Sequence, residues 1–273
     1  LKWQRQFRQY SVVIIRLTEY RPEEPAELFY RLNQPTALTS AEQRNAYIGA
    51  TRDQVKELSN KFVALGADKE TIGFSNSRLA YDEIISKFCF AVETHTLKKK
   101  ITSNDISFQY RQCIEIVDET LRKFMICVSE WKDFKFSFNK ATIFSWFVYI
   151  RRNLDSETTD LQNTISYMEF CRAYIKGKYK KVDDKYIKTF LSLQKQVPFF
   201  EVMLNTFNQR TSMGSTDALS IIYRDIIITL FRDMLWNEES ELLQYTMGTF
   251  AEVENFNYTL EKIVEKYNWG ENF

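Results

Sequence analysis

The chain has 273 residues, and its 37 basic and 36 acidic side chains leave a formal net charge of +1, which excludes both a whole-chain polycation and an acidic disordered polymer. Hydrophobic residues make up 44%, enough for a sizeable core, while only seven glycines and four prolines serve the turns. A sandwich or barrel needs a turn about every 8–12 residues, so the composition predicts a mainly α, multi-helix bundle.

The first predicted element is the exception. Residues 11–17 (Ser11, Val12, Val13, Ile14, Ile15, Arg16, Leu17) are a β-branched apolar run that reads as a buried strand. Pro22 and Pro25 break it, and 26–32 reads as a short helix with Leu28, Phe29 and Leu32 on one side. Thr39 and Glu42 have the spacing of a capping box, in which a hydroxyl and a carboxylate satisfy each other's free amides. They open a helix from 40 to about 48 that ends near Gly49. The pattern then changes, dividing the chain into an α/β segment, 1–50, and a helical domain, 51–273.

Within the second part, Val55, Leu58, Phe62 and Leu65 recur at helical spacing in 51–65. Further helices are predicted near 78–98, 104–131, 140–152, 157–177, 184–207 and 216–236, and a last one near 258–268. Ile114, Val117, Leu121, Met125 and Val128 give 104–131 a single apolar stripe. In 216–236 the apolar residues go nearly all round, which predicts a central, buried helix. The tandem aromatics Phe144, Trp146 and Phe147 read as core rather than as a stacking platform for bases.

Cys89, Cys113, Cys127 and Cys171 form no CxxC pair, and His95 is the only histidine. A structural zinc site wants four such ligands in close pairs, so neither metal nor disulfide is expected. Apolar neighbours predict buried free thiols in a reducing, cytoplasmic compartment. Neither GxxxxGK[ST] nor GxGxxG occurs, so no cofactor is expected within these residues. The uncharged stretches 141–150 and 242–251 reach only half of the roughly 20 residues a membrane span needs, and no signal peptide heads the chain. The start at Leu1 rather than methionine leads us to expect an upstream part.

Charge is uneven. Between 172 and 188, Arg172, Lys176, Lys178, Lys180, Lys181, Lys185 and Lys188 face only Asp183 and Asp184, with Tyr174, Tyr179 and Tyr186 interleaved. Cations that neutralise phosphates beside rings that stack are the composition of a nucleic-acid surface. The alternative is an ordinary solvated helix–loop–helix corner. Lys98, Lys99 and Lys100 suit the C-terminus of a helix dipole. From Asp233 to Phe273, nine acidic residues outweigh Lys262 and Lys266.

One motif goes further. Phe29, Tyr30, Arg31, Leu32 and Asn33, then Leu38, Thr39, Ser40, Ala41, Glu42, Gln43, Arg44, Asn45 and Ala46, spell F-x-R-x-N, a short loop, and L-[ST]-x-x-E-x-R-N-A. This resembles the bacterial ParB/sulfiredoxin-like family that includes the N-terminal half of GmrSD-type modification-dependent restriction enzymes. The strand before it, Gly49 after it and a helix opening at Ser77, Arg78 and Leu79 agree with that resemblance. Two departures stand out. Gln34, Pro35 and Thr36 replace the glycines usual in members, and no D-G-Q-Q-R segment occurs, although members carry one upstream of the motif. The resemblance implies the C-terminal two-thirds of a restriction or phage-defence protein. It further implies that the intact parent uses a nucleoside triphosphate and works with a nuclease domain or subunit on DNA. It places Arg31, Asn33, Glu42, Arg44 and Asn45 at the junction of the α/β and helical parts. There Arg31 and Arg44 either brace the junction or meet a nucleotide phosphate. The alternative function is a non-catalytic helical scaffold for a protein partner.

Overall fold

A computed structural model describes residues 49–273 except 100–112, 130, 132, 179–183 and 214–216. Before Gly49 it describes Trp3, Ser11, Ile14, Arg16, residues 18–22, Glu24, Pro25, Glu27, Leu28, Thr39, Ala41, Glu42 and Asn45. The chain divides into two compact units, residues 1–48 and 49–273.

In the first unit Ser11, Ile14 and Arg16 lie outside regular structure and are exposed, which corrects the expected buried strand at these positions, and its other four positions lie outside the described residues. Glu24, Pro25, Glu27 and Leu28 are helical, so this short helix begins before the expected residue 26. Ala41, Glu42 and Asn45 are helical as well.

The second unit is mainly α, with eleven α-helices and no strand among the described residues. Helix α1 (Ala50–Ala64) buries Val55, Leu58 and Phe62 at spacings of three and four, as the sequence predicts. A four-residue helix, α2 (Lys69–Ile72), follows and stops at Gly73 (φ +94°), where a Cβ would come within 3.1 Å of the Ser137 backbone. Only glycine fits that conformation and that close approach. Helix α3 (Ala80–Thr94) ends earlier than the expected residue 98, because His95 turns left-handed and Thr96 forms an antiparallel bridge with Glu271.

Helices α4 (Cys113–Ser129) and α5 (Lys140–Arg152) pack together, and α1 and α3 lie against α4. Phe62, Phe88, Phe124 and Phe147 meet there with ring centroids 5.2–6.2 Å apart. Helix α6 (Thr158–Tyr174) also packs on α4. The expected helix 184–207 is two helices, α7 (Asp184–Gln196) and α8 (Phe200–Arg210). Pro198 explains the break: it has no N–H to donate and pushes Val197 out of the helical region.

Helix α9 (Ala218–Leu235) is the expected central helix, buried at every residue from 220 to 228. It packs on α5, itself buried at every residue from 142 to 150. Arg224 ties three helices together: Nε donates to Ser145 Oγ on α5 (2.7 Å) and Nη1 to the Arg210 carbonyl that ends α8 (2.7 Å). The packed pair α10 (Glu241–Val253) and α11 (Phe256–Tyr267) completes the unit. The sequence reading misses α10 altogether. Among the described residues no helix is long and apolar enough to cross a membrane.

Candidate functional site

The basic corner joins α6 to α7. Gly177 (φ +73°) closes α6: its amide donates to the Tyr174 carbonyl (2.9 Å), and the Lys178 amide to that of Ala173 (3.1 Å). This paired closure satisfies the last helical carbonyls. Lys176 and Lys178 stand exposed on the turn so formed, and Lys188 is exposed on α7. Lys180 and Lys181 lie outside the described residues.

Arg172 is not part of that surface, which corrects its expected role. Its Nη1 donates to Glu169 Oε1 (2.5 Å), its Nε to Asn208 Oδ1 (3.1 Å), and its guanidinium lies 4.3 Å from the Phe207 ring centroid. Glu169 also accepts from Trp146 Nε1 (2.9 Å), and Asn208 Nδ2 donates to the Arg172 carbonyl (3.3 Å). The ion pair is thereby hydrogen-bonded on both sides, which is what makes a charge pair tolerable in a core. A cavity of about 60 Å³ lies over this cluster, with Lys176 and Lys178 in its lining. Partial burial, then the charges of Arg172 and Lys178, hold the Lys176 ammonium below its ordinary pKa.

On α7, Lys185 is exposed but engaged. Its Nζ lies 2.9 Å from Asp133 Oδ2 and 4.8 Å from the Tyr186 ring centroid. Lys185 and the Tyr186 hydroxyl (2.6 Å) hold the Asp133 carboxyl below its usual range. Tyr186 itself is wholly buried against Tyr167, Phe170 and Phe134, and Tyr174 stacks on Phe170. The Tyr186 ring is therefore closed to a base. Tyr179 lies outside the described residues.

In the motif, the predicted capping box is present. The Thr39 amide and hydroxyl both donate to Glu42 Oε2 (2.7 and 2.9 Å), and the Glu42 amide donates to the Thr39 hydroxyl (3.2 Å). Asn45 is exposed on the same helix. Arg31, Asn33 and Arg44 lie outside the described residues.

Cys89, Cys113, Cys127 and Cys171 are buried free thiols. Burial pushes the thiols of Cys89 and Cys171 up, away from the thiolate that a nucleophile requires. Among the described residues no three His, Cys, Asp or Glu side chains gather as a metal site. Comparison of the chain with models of known families, with curated proteins and with solved structures returns no match.

Proposed function

We propose that this chain is the helical portion of a ParB-like restriction or phage-defence protein, which supports a nucleotide-dependent nuclease domain and touches DNA through the α6–α7 corner. The observation that carries the reading is the ordered pair of polar blocks at 29–46, with the Thr39–Glu42 capping box in place, running directly into a helical unit. The nuclease, its nucleoside triphosphate and its catalytic groups belong to that partner domain or subunit. The role of this chain is mechanical and electrostatic: to hold the partner and to lend cations to the phosphate backbone. Arg31 and Arg44 then brace the attachment or reach the partner's nucleotide, a task to which a planar guanidinium fork is suited.

The DNA contact falls to Lys176, Lys178, Lys180, Lys181 and Lys188, since Arg172 is internal and Lys185 is engaged by Asp133. Such binding is sequence-independent, because phosphate contacts carry no base information. Fluorescence anisotropy on a short duplex at low salt tests it. The triple variant Lys178→Glu, Lys180→Glu, Lys181→Glu abolishes the binding on this reading. The burial of Arg172 favours a second reading, a non-catalytic scaffold for a protein partner, because it thins the cationic face. Binding undiminished in the triple variant, or absent in the parent chain, would overturn the DNA contact at this corner and favour that second reading.

A further inference from the structure

Between the C-terminal ends of α7 and α9 and the first turns of α10 lies a cavity of about 580 Å³. Leu193 and Val197 on α7 and Leu243 and Met247 on α10 are two i, i+4 pairs that wall it, and Met234 on α9 extends the apolar lining. The charged lining is of one sign: Asp233, Glu238 and Glu239, with no basic side chain among the described lining residues. Arg232, outside that lining, meets two of the three. Its Nε and Nη2 both donate to Asp233 Oδ1 (3.0 and 2.6 Å), and Nη2 also donates to Glu238 Oε2 (3.3 Å). Glu239 is exposed and has no ion-pair partner among the described residues. The second oxygen of Asp233 stands apart. The side chain is only 1% exposed, yet Oδ2 accepts no hydrogen bond from a described residue and is not sealed off within the core.

A buried carboxylate oxygen without a donor is costly, and a cationic N–H makes the strongest bond to it. Only a slender group reaches an atom so enclosed, and a primary ammonium on a methylene stem is one. The methylenes gain by covering the leucine, valine and methionine walls, while a second ammonium meets Glu238 or Glu239 at the exposed mouth. A bare divalent cation makes no use of those walls, and the three carboxylates do not gather as a metal site. The volume lies in the range of roughly 300–1,000 Å³ typical of small-molecule sites, too little for a partner's helix, which is about 10 Å across. We propose that this cavity binds a small aliphatic polyamine, with one ammonium on Asp233 and the next on Glu238 and Glu239. The site uses none of the lysines of the α6–α7 corner and does not depend on the nucleic-acid reading.

Calorimetric titration of the whole chain at constant ionic strength tests this, with putrescine and spermidine as probes. The controls are 1,4-butanediol (the body without the charge), magnesium chloride (the charge without the body) and Nα-acetyl-lysine amide (a lysine side chain of the kind a protein partner would insert). Both polyamines bind and the controls bind more weakly or not at all. The double variant Glu238→Gln, Glu239→Gln, confined to exposed side chains, weakens both polyamines by about tenfold at an unchanged melting temperature. Asp233→Asn, which keeps the shape and removes the charge, weakens them in the same direction, and the double variant serves alone if it folds poorly. Failure of both polyamines to bind at millimolar concentration, a control binding as tightly as putrescine, or affinities unchanged in the folded variants would overturn the proposal.

Discussion

The positive charge of Arg172 lies inside the bundle because Glu169 stands one turn earlier on α6 and can meet it without leaving the helix. Charge counting along 172–188 credits Arg172 to the surface; the signal against that was the i, i+3 carboxylate, which lies just upstream of the segment. Removing one partner of a buried pair strands the other. Arg172→Ala is therefore expected to cost about 3–5 kcal/mol, read from urea unfolding, while Lys176→Ala stays within about 0.5 kcal/mol. Equal midpoints for the two variants would mean that Glu169 is solvated without its partner. Glu83 gives a pH-dependent counterpart. Burial acts to raise its pKa, but hydrogen bonds from Lys140 and Lys87 outweigh this and leave it below the ordinary value. A carboxyl depressed in the folded state stabilises the fold above its unfolded pKa, and that contribution is lost as the pH falls through the folded value. Between about pH 5 and pH 3, Glu83→Gln should lose less stability than the parent; parallel curves would remove Glu83 from the acid response.

At the scale of elements, helices with a clean stripe or a fully apolar girth were legible: α1, α5 and α9 lie where periodicity puts them, and α4 does so over the described part of the expected 104–131. Two features were not. Pro198 splits the expected 184–207 helix, since the apolar stripe of Phe190, Leu193, Val197 and Phe200 runs on across a residue that cannot donate. Helix α10 was passed over because its face is shallow: only Leu242 and Thr246 are fully buried, and Gly248 interrupts its propensity. Ser240, whose side chain accepts from the Leu243 amide, was the overlooked start signal. Caps also join elements. Asn139 begins α5 by accepting from the Thr142 amide (2.9 Å), and its Nδ2 donates to the Thr211 carbonyl beyond α8 (3.2 Å). Asn139→Ala should therefore cost about 1–2 kcal/mol. Asn139→Asp keeps the cap but not the donor, and should recover only part of the loss in thermal unfolding. Full recovery by aspartate would show that the Thr211 bond contributes nothing.

Across the whole molecule, two polar features at the ends of α6 and α9 sit on a core that α5 and α9 fill from within. The fold class was legible because scarce glycine and proline leave little but helices. The make-up of the basic corner was less so, because composition reports how many cations a segment has and not how deep each lies. With Arg172 inside and Lys185 turned to Asp133, the sequence leaves four or five lysines for the proposed phosphate contact. Counterion release then sets the slope of log affinity against log salt at about −3.5 to −4.5 for duplex DNA. That slope, measured by anisotropy on the parent chain from low to physiological salt, tests the DNA-contact claim most directly. A value in that range, the same for unrelated sequences, is the result expected; a slope near zero, or no binding at the lowest salt, would contradict it.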